Sequence, residues 1–352
     1  MNALCRHFGT CGGCAHQDMP DGAYRALKRE AVIRALFRHG LGDADVSEVV
    51  EVAPRTRRRC VFKIARKNGE VLVGFHARAS HSIVDMRECR VLTPALFGLA
   101  GHLRAIMVEI LSDGEAAEVH ATETETGFDL AFRWPRKAAP ALIATLARWA
   151  GQANVARITS GNDILVELAQ PTLQIGKADV RLPPFAFLQP TREGEGFLQA
   201  QIREALAGAK SVVDLFAGCG TFSFVLAEKA KVLAVELDAT MLDALMGAAR
   251  TAKGLKPIAT EKRDLFKRPL MARELNAFDG VSLDPPRAGA GAQIAQLAQS
   301  KVGHVAYVSC NAESFARDAR VLVDAGFKMN PVVPVDQFLW SEHIELVASF
   351  GR

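Results

Sequence analysis

Two different rhythms of apolar and polar residues divide this chain. After a helix-patterned run from about Tyr24 to His39, the stretch from Val46 to about Leu188 alternates in the manner of half-buried strands. Turn pairs punctuate it at Asn68-Gly69, Thr126-Gly127, Gly161-Asn162 and Gly176-Lys177, the spacing expected of hairpins. Helical patterns interrupt it at about Pro94–Leu111 and Pro140–Gly151. These features predict an α+β region, closed by a linker at Leu182-Pro183-Pro184-Phe185.

Beyond Gly196 apolar strands alternate with amphipathic helices. Strands are expected at Ser211–Phe216, Lys231–Glu236, Ile258–Arg263, Phe278–Leu283 and His304–Val308, with helices between them except between the third and fourth, and two final strands around Val332–Val335 and Ile344–Phe350. Strand–helix alternation implies a parallel sheet with helices on both faces. The expected fold class is therefore α/β: a C-terminal Rossmann-like domain (189–352), a hairpin-rich α+β domain (46–188) and an N-terminal cysteine region (1–45).

Composition changes little in this picture. The chain has 49% hydrophobic and 23% charged residues, as in ordinary globular proteins. It has no run near the roughly 20 apolar residues that span a bilayer. Met1-Asn2-Ala3-Leu4-Cys5 carries no leader pattern. We expect a cytoplasmic monomer with no membrane partner. A net charge of +4 permits nucleic acid without demanding it. The segment Arg55–Lys67 concentrates cations at Arg55, Arg57, Arg58, Arg59, Lys63, Arg66 and Lys67 as it enters a strand. Alternate members on one face would form a phosphate track.

Chemistry concentrates in the last third. Asp214-Leu215-Phe216-Ala217-Gly218-Cys219-Gly220-Thr221 follows a strand and opens a helix, a turn that lets backbone amides approach a ligand. With no third glycine, it favours S-adenosylmethionine over a dinucleotide. Glu236 ends the second strand, where a carboxylate meets ribose hydroxyls, and Asp264 follows the third, within reach of an adenine. Asp284-Pro285-Pro286-Arg287 extends from the fourth. Cys310 closes the strand His304–Val308 just before a helix, where backbone N–H groups are expected to stabilise its thiolate. A thiolate can add to carbon 6 of a pyrimidine and activate carbon 5 for methylation. Glu345 is the acid that can then remove the carbon-5 proton. The alternatives are methylation of an exocyclic amine by the Asp-Pro-Pro motif and a non-catalytic RNA-binding module.

Together, Asp-Leu-Phe-x-Gly-x-Gly, Asp-Pro-Pro-Arg, Tyr307-Val308-Ser309-Cys310-Asn311 with the later Ala-Arg-Asp, and His343-Ile344-Glu345 resemble the RNA 5-methyluridine methyltransferase family. The resemblance implies Cys310 as nucleophile and Glu345 as base, with Gln189, Phe216, Thr221, Glu236, Asp264 and Asp284 contacting methyl donor or base. Ala312 stands where the family has proline, and Thr191 where it has asparagine.

Of the seven cysteines, Cys5, Cys11 and Cys14 lie on a glycine-rich loop, with Cys89 as the candidate fourth ligand. Four thiolates suit zinc or an iron–sulfur cluster equally. The resemblance implies a 4Fe-4S cluster, found in the family's ribosomal branch, and with it 23S rRNA as the RNA partner, with tRNA as the alternative. Cys60 and Cys219 read as a strand residue and a loop filler.

Overall fold

The computed structural model describes residues 4–134, 138–161 and 163–352. Met1 to Ala3 and Asn162 of the Gly161-Asn162 turn lie outside them. Helix α1 (Asp21–Arg38) leads to β1 (Val50–Glu51). The central unit comprises β2 (Arg59–Lys67), β3 (Glu70–His76), β4 (Ile83–Asp85), α2 (Pro94–Ile110), β5 (Ala116–Thr124), β6 (Gly127–Arg133), α3 (Pro140–Gln152), β7 (Val155–Ser160) and β8 (Asp163–Glu167). The hairpin β9 (Thr172–Ile175) and β10 (Ala178–Arg181) precedes α4 (Arg192–Ala205). The C-terminal unit then runs β11 (Ser211–Leu215), α5 (Ser223–Ala227), β12 (Lys231–Glu236), α6 (Ala239–Thr251), β13 (Ile258–Lys262), α7 (Ala272–Leu275) and β14 (Gly280–Leu283). It ends with α8 (Gly291–Gln299), β15 (His304–Ser309), α9 (Ala312–Asp324), β16 (Lys328–Met329), β17 (Val333–Asp336) and β18 (Glu345–Gly351).

Nearly every predicted element is present, with ends shifted by a few residues. The exceptions are β1, α7 and β16, two to four residues each, too short to carry a period. The hairpin signals at Asn68-Gly69, Thr126-Gly127 and Gly176-Lys177 each join consecutive antiparallel strands.

The central sheet has the order β4-β3-β2-β5-β6-β7-β8. It is antiparallel except where β7 returns parallel to β6 after α3. Alternation sends Phe62, Ile64, Val119, Ala121, Leu130 and Phe132 to one core with α2 and α3. Arg59, Lys63 and Lys67 take the opposite face of β2 by the same period of two. Other cations of the basic run turn inward. Arg66 donates to the carbonyls of Val108 and Leu111 (2.8 and 2.7 Å). Buried Arg58 donates to the Gln189 carbonyl at 3.1 Å and to Glu195 at 2.6 Å. Arg59 also donates to the Leu188 carbonyl at 2.6 Å, so the run is only partly a surface track, because Arg58, Arg59 and Arg66 are spent on acceptors within the protein.

The larger sheet follows β1-β17-β18-β15-β14-β11-β12-β13. Strands β11 to β15 are mutually parallel, and β18 inserts antiparallel between β15 and β17. This is the class I methyltransferase arrangement. Its strand order reverses between β11 and β14, the switch point at which doubly wound sheets bind ligands. Helix α1 packs on α9, and its Val32, Ala35 and Leu36 join the core of this C-terminal unit.

Candidate active site

The turn after β11 is built for a close ligand. Phe216 takes a φ of +61° and Gly218 and Gly220 take +53° and +96°. A Cβ on Gly220 would stand 2.7 Å from the Phe224 ring, so only glycine fits there. Glu236, at the end of β12, accepts from the Gly218 N–H at 3.0 Å. Its other oxygen accepts from Leu237 and Asp238 at 2.7 and 3.1 Å. The carboxylate thus ties the glycine turn to the second strand. Asp264 accepts from Phe266 and Lys267 N–H (3.1 and 3.2 Å), and the Phe266 ring lies 5.5 Å from that of Phe216. Phe266, half exposed, is a wall of this slot that sequence reasoning missed, since an apolar residue in a loop carries no period. Thr221 lies at the end of the turn, its carbonyl accepting from Gln199 at 3.0 Å.

One edge of the sheet gathers the remaining residues. The register pairs Ser309 of β15 with Leu346 of β18. One step further along, Cys310 and Glu345 therefore stand across from one another. Leu283 pairs with Tyr307, which brings Asp284 to the same edge. Burial and the Glu345 and Asp284 carboxylates push the Cys310 thiol up to about 11, against the opposing pull of Arg287. The expected stabilisation of the thiolate by α9 is not found. The first amides of α9 are capped by Asn311, whose Oδ1 accepts from Glu313 and Ser314 (3.0 and 3.4 Å). That N-cap spends two of the helix amides, and the one backbone N–H that lowers the thiol is that of Cys310 itself, too little to offset burial and the two carboxylates.

Burial, with Asp284 nearby, holds Glu345 well above the usual carboxylate range, and a hydrogen bond from Gln337 opposes the shift. Burial pushes Asp284 up to about 7, with Asp214 adding to it and Gln189 opposing. A ladder of amides joins the two acids. Gln337 Nε2 donates to Glu345 at 3.2 Å and to Gln189 Oε1 at 2.6 Å. Gln189 Nε2 in turn donates to Asp284 at 3.0 Å. The structure thus brings Gln189, Asp284, Cys310 and Glu345 together at the switch-point edge, beside the turn bearing Phe216, Thr221 and Glu236. Gln337 was not foreseen, because a lone glutamine after a short strand gives no signal.

At the N-terminus, Cys5, Cys11, Cys14 and Cys89 line one cavity of about 570 Å³, and Cys60 joins its wall. Burial raises Cys14 to about 12, and Cys89, Cys11 and Cys5 add to the shift. Cys60 feels Cys89 but none of the loop thiols. By these mutual effects Cys89 rather than Cys60 groups with Cys5, Cys11 and Cys14. Their chemistry fits a thiophilic metal or cluster, since a cation would relieve the repulsion that four thiolates impose. As placed, no three metal-binding side chains among the described residues converge to ligand distance. The cavity is also walled by Phe338, Ser341, Glu342 and His343, from the loop between β17 and β18.

Residues 150–349 match the family model described as tRNA (uracil-5-)-methyltransferase. An uncharacterized RNA methyltransferase of Rhizobium meliloti (strain 1021) is 42% identical over 354 residues, covering 99% of this chain and 85% of that protein. The 23S rRNA (uracil(1939)-C(5))-methyltransferase RlmD of Marinomonas posidonica is 30% identical over 353 residues, covering 98% and 80%. Among solved structures, the Pyrococcus abyssi tRNA (uracil-54, C5)-methyltransferase bound to S-adenosyl-L-homocysteine superposes with a TM-score of 0.75 at 21% identity, covering 97% of this chain and 84% of that one. A class I methyltransferase sheet, a nucleotide turn at its switch point and these likenesses lead to one assignment: the chain belongs to the tRNA (uracil-5-)-methyltransferase family and is an RNA uracil-C5 methyltransferase.

Proposed function

We propose that this enzyme methylates carbon 5 of a uridine in 23S rRNA through a covalent adduct at carbon 6, with Cys310 as nucleophile and Glu345 as base. The observation that carries this is the strand register that sets Cys310 across from Glu345, with Asp284 on the neighbouring strand. Carbon 5 of uracil is too weakly nucleophilic to take a methyl group alone. Once deprotonated, Cys310 adds to carbon 6, and the electron pair released at carbon 5 takes the methyl group as the sulfonium–methyl bond breaks. Glu345 then accepts the carbon-5 proton. The carbon 5–carbon 6 double bond re-forms, and the carbon–sulfur bond breaks to return the thiolate. An acid whose pKa is raised toward the working pH suits that task.

Glu236, Phe216, Thr221 and Asp264 are assigned to the methyl donor, and Gln189 and Asp284 to the donor or the uracil edge. The target base leaves its stack to reach this edge, and exposed Lys67, with Lys63 beside it on the same face of β2, is offered to phosphates. Cys5, Cys11, Cys14 and Cys89 would hold a 4Fe-4S cluster in a structural or RNA-positioning role. The ribosomal substrate is supported by the likeness to RlmD over nearly the whole chain; the 21% likeness to the archaeal tRNA enzyme carries only the fold.

Two measurements test the proposal. Cys310→Ala should abolish methylation and the trapped adduct with 5-fluorouridine RNA while S-adenosylhomocysteine binding survives; a fully active variant refutes the covalent route. Mapping 5-methyluridine in cells lacking the protein should show loss from 23S rRNA, and loss from tRNA alone would overturn the substrate assignment.

A further inference from the structure

We infer that Gln337 is a positioning residue for the proton-removal step, holding Glu345 in its ionised, correctly aimed form. The inference rests on the reading of Glu345 as base. Gln337 is 1% exposed and Glu345 3%, so neither side chain can turn to water for a partner. Both Nε2 hydrogens of Gln337 are committed to acceptors, one to Glu345 and one to Gln189. Its Oε1 has no partner and points at Gly194, where a Cβ would approach it to 2.5 Å. The reversed amide would set a carbonyl oxygen against the Glu345 carboxylate, so the donor orientation is the one that an ionised Glu345 selects.

The backbone beneath Gln337 is anchored from the far end of the chain. Asp336, fully buried, accepts from Lys28 of α1 at 3.0 Å and from the Tyr24 hydroxyl. The Tyr24 oxygen accepts from Trp340 N–H at 2.7 Å, and Phe338 N–H bonds back to Asp336 at 3.2 Å. The turn that presents Gln337 is thereby pinned on both sides of it. Of the ionisable groups around Glu345, Asp284 acts on it directly, while Cys310 is itself acted on by Glu345, Asp284 and Arg287. On adjoining elements Asp336 is paired with Lys28 and Glu195 with Arg58, and His343 lies two residues before it on the loop. Among these, Asp284 adds negative charge that favours a neutral Glu345. The Gln337 N–H works in the opposite direction.

Removing that donor should make Glu345 a weaker acid. A hydrogen bond to a charged group, typically about 1.5–3 kcal/mol, converts to roughly one to two pH units. In Gln337→Met, which keeps the length and loses the donor, the acid limb of the kcat profile should move up by about that amount. Tritium release from RNA carrying tritium at carbon 5 should be slow at neutral pH and recover toward the wild-type rate in alkali. Gln337→Glu, which adds a third carboxylate, should move the limb further in the same direction. Adduct yield with 5-fluorouridine RNA needs no carbon-5 proton and should stay at the wild-type level in Gln337→Met. An unshifted pH profile in both variants, or a loss that alkali does not restore, overturns the role of Gln337. Failure of the wild-type enzyme to form the adduct would instead defeat the covalent reading on which the inference rests.

Discussion

Alkylation of Cys310 in the RNA-free protein, followed at that residue by mass spectrometry, should reveal a sluggish thiol whose reactivity climbs well past neutrality. Burial and two carboxylates hold it at about 11, compared with ~8.5 for a free cysteine. At about pH 8 roughly one Cys310 in a thousand is then a thiolate, where a free thiol has about one in four, a deficit of ~240-fold. A more basic thiolate is also a better nucleophile, and a Brønsted slope of ~0.4–0.5 over ~2.5 units returns about 10- to 20-fold. The net expectation is alkylation about twentyfold slower than that of a free cysteine. Restricted access would slow the rate further but leave its pH dependence alone, so the slope is the cleaner readout. The folded protein disfavours the charged form, so thiolate accumulates only as pH rises, and the rate should grow about tenfold per unit from about pH 7 to 10. Glu345→Gln removes one of the two carboxylates and should shift half-titration downward even as turnover is lost. Half-titration at or below that of a free cysteine, or one that Glu345→Gln leaves in place, would refute this electrostatic account of the site.

Two further outcomes follow from other parts of the structure. Glu236→Ala removes the acceptor that holds the Gly218 N–H and the charge facing the proposed ribose position; one lost charge-assisted hydrogen bond, about 1.5–3 kcal/mol, should weaken S-adenosylhomocysteine binding roughly 10- to 150-fold by calorimetry, and unchanged affinity would remove Glu236 from the donor site. Lys28→Met leaves Asp336 without its buried cation, and chemical denaturation should show a loss of about 3–5 kcal/mol; a variant as stable as the parent would mean that Tyr24 and the Phe338 N–H satisfy Asp336 without it.

Much of this enzyme is legible in its residues. The change from a period of two to alternating strands and helices near Gly196 marks where one sheet gives way to the other. The glycine turn, Glu236 and Asp284 could be assigned to strand ends because parallel sheets place ligand contacts there as a rule. Local chemistry also explains what went astray. A thiol before a helix invites the helix amides, but Asn311, the very next residue, claims two of them, and the carboxylates that raise Cys310 come from distant segments. The cations from Arg55 to Lys67 look alike in sequence, yet Arg58 serves a buried carboxylate and Arg66 bonds backbone carbonyls while Lys67 remains exposed.

The sequence by itself determined most of the elements and their order and offered the candidate reacting groups, since each follows from short-range periodicity or from the chemistry of a few consecutive side chains. Only the tertiary structure decided which groups meet. The insertion of β18 between β15 and β17 puts Glu345 opposite Cys310, and helix α1 brings Lys28 and Tyr24 across some three hundred residues to Asp336. Those pairings depend on strand register and helix docking, which are set by burial summed over the whole core and leave no trace in any local stretch of chain.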